Sequence, residues 1–124
     1  MNSNLSTFKS FLLIELDNLV EAIEQLVVAS KEKYKKRGIS QAVLCANTAF
    51  FEKEIWGIST FHSHLKDLKL PDITEEEEMA KVFKDLFADW VKSHDLPPAL
   101  IPLVEIKVNK VLRYVRQEQD PPLK

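Results

Sequence analysis

The chain is punctuated at four places and almost nowhere else. Its two glycines and six prolines cluster at Lys35-Lys36-Arg37-Gly38, Leu70-Pro71-Asp72-Ile73-Thr74, Leu96-Pro97-Pro98 and Asp120-Pro121-Pro122, with Gly57 and Pro102 set apart. Between these breaks run helix-forming residues with apolar side chains at helical spacing. The pattern predicts four helices, over about 5–37, 40–69, 75–94 and 98–118, followed by a frayed tail over 119–124. Short connections favour antiparallel neighbours, so the expected fold is an all-α, up-down-up-down four-helix bundle forming one domain over residues 1–124. At 124 residues, 45% of them hydrophobic, such a domain can bury a substantial core.

In the first helix Leu12, Leu16, Leu19, Ile23 and Leu26 step by 4, 3, 4 and 3, with Leu13, Val20 and Val27 beside them. A face this wide suits a helix that touches two neighbours. Gly38 is the expected left-handed residue after its last turn. Ser40 is the expected N-cap of the second helix. There Leu44, Phe51, Ile55, Ile58, His62 and Leu65 share a face, and Gly57 sits mid-helix as a site of close contact or a bend. Thr74 with Glu77 reads as a capping box for the third helix, whose stripe is Met79, Phe83, Leu86 and Trp90. In the fourth, Ile101, Val104, Val108, Val111 and Val115 form the stripe. Pro102 requires an irregular first turn or a later start.

The helices are unequal. The first pair reaches about 30 residues each, roughly 45 Å, and the second pair is nearer 20. A bundle built from them either kinks its long helices or lets the first hairpin project. A projecting, partly apolar hairpin needs cover, which makes it a device for self-association.

Charge is polarised. Residues 31–37 carry a local +4, residues 74–95 a local −4 and residues 96–124 a local +2, within a net charge of −2. Lys107, Lys110, Arg113 and Arg116 give the fourth helix a cationic face. It is expected to be solvated or to pair with the acidic third helix. With Lys33, Lys36 and Arg37, these residues form the candidate interaction surface. They also carry an alternative reading as a nucleic-acid-associated regulator, which requires one continuous basic face. Gly38-Ile39-Ser40-Gln41 resembles the opening of a helix-turn-helix only briefly, because Asn47-Thr48-Ala49-Phe50-Phe51 continues the helix where a turn is needed.

Chemistry-bearing residues do not converge. His62 and His64 lie about 200° apart on a helix and cannot share a metal. His62 falls on the apolar stripe as a boundary residue, whereas His64 and His94 read as surface. There is no Glu-x-x-His pair of the di-iron kind. Glu15, Glu52 and Glu54 are expected at a solvated boundary. Cys45, the single cysteine, is expected to be a small buried residue, and its isolation suits a reducing cytoplasm. The N-terminus has no basic segment before an apolar run, and no run approaches a membrane span. The sequence therefore points to an interaction or regulatory module acting by protein association, with itself or another protein. It gives no indication of a catalytic site, cofactor, metal or membrane role. A third reading is a small-ligand binder with an aromatic pocket at Phe51, Phe61, His62, Phe83 and Trp90.

Overall fold

The computed structural model describes residues 3–119. They form four helices: α1 Ser3–Lys35, α2 Gln41–Asp67, α3 Glu76–Ser93 and α4 Leu100–Gln119. The tail expected beyond α4 lies outside the described residues. Each helix runs antiparallel to the next, and α4 returns beside α1. Asp17 of α1 faces His62 of α2, Phe61 of α2 meets Phe87 of α3, Glu77 at the start of α3 pairs with Arg116 at the end of α4, and Phe11 packs on Tyr114.

The core is built around the expected stripes, shifted in α2 and α3: Leu44, Phe51, Ile55, His62, Leu86 and Trp90 are only partly buried, and Phe61 and Phe87 beside them take the interior. Phe8, Leu12, Leu16, Leu19 and Ile23 of α1, Ile58, Phe61 and Leu65 of α2, Met79, Phe83 and Phe87 of α3, and Val104, Val108, Val111 and Val115 of α4 are all buried. Four valines are modest helix formers, so α4 is held by this packing more than by propensity. Aromatic side chains fill the seam between α2 and α3: Phe61 lies edge-on to Phe87 at 4.9 Å and beside Trp90 at 5.8 Å. Lys9 reaches across from α1 and donates to the Lys66 and Leu68 carbonyls at 3.0 Å each, satisfying orphan acceptors at the end of α2.

The connections depart from expectation in instructive ways. Ser40 does cap α2, accepting from the Val43 N–H at 3.2 Å. At the end of α1, however, the left-handed residue is Arg37, with φ 61°, and not Gly38. Gly38 N–H donates to Lys33 O at 2.7 Å and Arg37 N–H to Tyr34 O at 2.9 Å, the paired bonds of a Schellman turn. Gly38 serves close approach instead, since a Cβ there would lie 3.3 Å from Lys33 O. The capping box at Thr74 does not form. Helix α3 starts at Glu76 with Glu75 as its N-cap and no side-chain cap bond. Ile73 is buried and anchors the connection, and Glu77 is engaged with Arg116 instead of turning back. Glu76, Glu77 and Glu78 still place negative charge against the positive end of the helix dipole. Pro102 lies in the first turn of α4, where its missing N–H removes no helical bond. Before it, Leu100 and Ile101 N–H groups donate to Pro97 and Pro98 carbonyls at 3.0 Å.

The α3–α4 connection fixes where the bundle ends. Asp95 adopts φ 51°, and Leu96 turns inward and is buried. It packs on Gly57, where a Cβ would lie 2.6 Å from Leu96 Cδ1. The Gly57 carbonyl also accepts from Trp90 Nε1–H at 3.2 Å. Gly57 is therefore a contact point, allowing α2 to touch the turn that closes the second hairpin.

Candidate interaction surface

Above this turn, α1 and α2 continue without α3 and α4. Their 33 and 27 residues give about 50 and 40 Å of helix, against roughly 27 and 30 Å for the 18 and 20 residues of α3 and α4. Between positions 24 and 53 the one buried residue is Ser30. This segment is a two-helix arm projecting from the four-helix body.

The arm keeps the pattern of the core. On α1 the stripe Leu12, Leu16, Leu19, Ile23 continues in phase to Leu26. On α2 the stripe Leu65, Phe61, Ile58, Glu54 continues through Phe50 and Asn47 to Val43, by steps of 4, 3, 4, 4, 3 and 4. A helix repeats a face at such intervals. The same faces that are sealed below are open above: Leu26 is 49% exposed, Phe50 46% and Val43 44%, whereas Leu16 and Ile58 are 0%. Phe50 rests edge-on against Phe51 at 5.9 Å, which covers part of one ring only.

Glu54 sits at the root of the arm and is 5% exposed. Burial raises its carboxyl above the usual glutamate value. Among the described residues none pairs with it or hydrogen-bonds to it. At the other end, Lys31, Lys33, Lys35, Lys36 and Arg37 are all exposed. Their one ion pair within the arm is the surface contact of Lys35 with Glu32 at 3.6 Å.

The cations of α4 lie elsewhere. Lys107 and Lys110 approach opposite oxygens of Glu15 on α1, each at 3.3 Å. Glu15 is buried rather than at the solvated boundary expected of it, because α4 folds over it. Its Oε1 makes no hydrogen bond, as Lys107 lies within ion-pair distance but off the bonding direction. Arg116 pairs with Glu77 of α3, the intramolecular arrangement that the charge pattern suggests, and Arg113 is exposed. Glu15 and the basic tip at Lys35 are 20 positions apart on one helix, about 30 Å. The two basic clusters therefore do not form a continuous face, and three of the four α4 cations face carboxylates.

The aromatic residues expected to line a pocket are packed. Phe61 and Phe83 are in the core, and Phe83 stacks on Phe8 at 5.2 Å. Phe51 and Trp90 are partly buried against the core, and His62 bridges to Asp17 at 3.3 Å. Two surface hollows lie elsewhere. One of about 490 Å³ between α1 and α4 is lined by Phe11, Ile14, Glu15, Tyr114 and Gln117. Another of about 480 Å³ lies beside the α3–α4 connection.

Three further placements differ from the sequence reading or extend it. Cys45 is exposed, not buried, because it lies about half a turn from the stripe through Val43 and Asn47. Glu54 is buried where a solvated boundary was expected, while Glu52 is exposed. His64 and His94 are exposed but flank Trp90, with ring centroids at 4.9 and 3.9 Å. Among the described residues no three His, Cys, Asp or Glu side chains form a metal-holding group, and no helix is long and apolar enough to cross a membrane. No protein-family model, curated protein or solved structure matches the chain.

Proposed function

We propose that this protein is a small interaction module, acting in the reducing cytoplasm by binding protein surfaces and not by catalysis, and that its arm associates with a second copy of the chain. The observation that carries the reading is the uncovered continuation of the core stripes through Leu26, Phe50 and Val43. A stripe that needs two more helices to close it is met by a surface of the same kind, and a second arm supplies two helices with matching faces. The open strip is about 15 Å long and about 20 Å wide, two helix diameters, which puts the contact at the small, transient end of protein interfaces. Association is therefore expected to be weak and concentration-dependent.

Native mass spectrometry tests this. The wild-type chain should give a dimer fraction that grows as protein is raised from about 1 to 100 µM, as mass action requires. The Leu26→Glu/Phe50→Glu double variant should remain monomeric with unchanged helical circular dichroism. A wild-type monomer over that whole range would remove the reading. The nucleic-acid alternative has less support, because its two basic clusters are separated and three of the four α4 cations face carboxylates.

A further inference from the structure

The root and the tip of the arm carry complementary features on one face. At the root, Glu54 is a largely covered residue with no ion pair among the described residues, and its carboxyl oxygens still reach solvent, so they are open to a cation of a second copy. At the tip, Lys33 lies seven positions after Leu26 and so shares its open face, and Lys36 follows one turn later. Asp17 faces His62, and eight positions further along each helix Gln25 lies level with Glu54. The cations at 33 and 36 are thus eight to eleven positions beyond Glu54's level, roughly 12–17 Å. The open strip spans the same interval.

We infer that two copies pair their arms head to tail about a two-fold axis at mid-arm, so that Glu54 of each copy meets Lys33 and Lys36 at the tip of the other. The inference rests on the reading of the arm as a self-association surface and specifies its geometry. A two-fold axis near the level of position 30 carries the level of Glu54 onto that of residues 35 and 36. It sets Phe50 of one copy near Asn47 of the other, close to the axis, and brings Leu26 of each copy level with residues 33 and 34 of the other. The opposite, tip-to-tip alignment would bring two segments of +4 side by side and leave both Glu54 carboxylates unpaired. Like charges in contact disfavour that alignment, so the charge pattern selects the register while the apolar stripe supplies the area.

Complementary charge exchange tests the geometry separately from the association. Lys33→Glu/Lys36→Glu removes the attraction at one end, and Glu54→Lys reverses it at the other. In sedimentation velocity each variant alone should dimerise at least about tenfold more weakly than wild type, whereas their equimolar mixture should form a heterodimer of near wild-type strength, because both contacts in it are again opposite in sign. Glu54→Gln, which keeps the shape, covers the case in which lysine at 54 unfolds the chain. It should weaken the dimer and flatten its salt dependence. If wild type dimerises but Glu54→Gln and the tip variant dimerise equally well with the same salt dependence, the head-to-tail contact is wrong while arm association stands. If wild type does not dimerise, the underlying reading fails with it.

Discussion

Leu16 and Leu26 are the same residue type, on the same helix, in the same stripe, ten positions apart. One is fully buried and the other is half exposed. Nothing local to α1 distinguishes them. The difference lies in α3 and α4, which cover the first and stop short of the second. A stripe in the sequence therefore states that a face needs cover, and the lengths of the other helices decide whether the chain provides it. The body of this molecule is a closed four-helix unit, and the arm is half of one.

That contrast can be broken by substitution. The largest effect is expected at Leu16→Ala, which should destabilise the monomer by about 2–5 kcal/mol through lost burial and a cavity, whereas Leu26→Ala should cost under about 1 kcal/mol. Urea unfolding of both at dilute concentration measures the pair. Similar losses at the two sites would mean that the arm is covered within the monomer. Next is the contact that ends the bundle. Gly57→Val places a branched side chain against buried Leu96 and should cost about 1–3 kcal/mol by overpacking, read as a lower urea midpoint. A neutral result would show that the α3–α4 turn does not press on α2.

Arg37→Gly should have a smaller effect, of opposite sign. It relieves a left-handed φ of 61° and should stabilise the arm by roughly 1 kcal/mol, visible as slower amide exchange at the ends of α1 and α2. No gain would mean that the Schellman turn tolerates arginine without strain.

The root of the arm adds a pH dependence. Burial holds the Glu54 carboxyl above its ordinary value, so between the unfolded and folded values the native state keeps a proton that the unfolded chain has released. Stability from this group is therefore fully present below the ordinary glutamate range and is lost as pH rises through the raised value. Glu54→Gln should remove that downward slope, measured as the difference between wild-type and variant unfolding free energies from pH 4 to 8 in dilute protein. A pH-independent difference would show that the carboxylate is solvated in the monomer.

Much of this architecture was legible in the residues. Turn-forming residues marked the breaks, helical spacing gave the stripes, and unequal lengths left a choice between kinked long helices and a projecting hairpin. What was hidden depended on partners distant in sequence. Glu15 occupies a polar-looking boundary position until α4 folds over it, and Glu54 is covered only once the foot of the arm is assembled. Thr74 offers a sound local cap, yet with Ile73 buried and Glu77 paired to Arg116, α3 starts one residue later. Cys45 has apolar sequence neighbours but faces outward on a stretch with nothing above it. The left-handed residue fell one place before the glycine, because Gly38 is needed where the chain passes Lys33 O.

Hydrogen exchange followed by mass spectrometry at two protein concentrations tests the central claim most directly, because it reads arm and body in one experiment. Dilute protein should show faster exchange over residues 26–35 and 41–51 than over residues 8–23. Raising the concentration should slow the arm alone. Arm exchange that does not depend on concentration, or protection appearing instead at Phe11, Ile14 and Tyr114, would contradict the account.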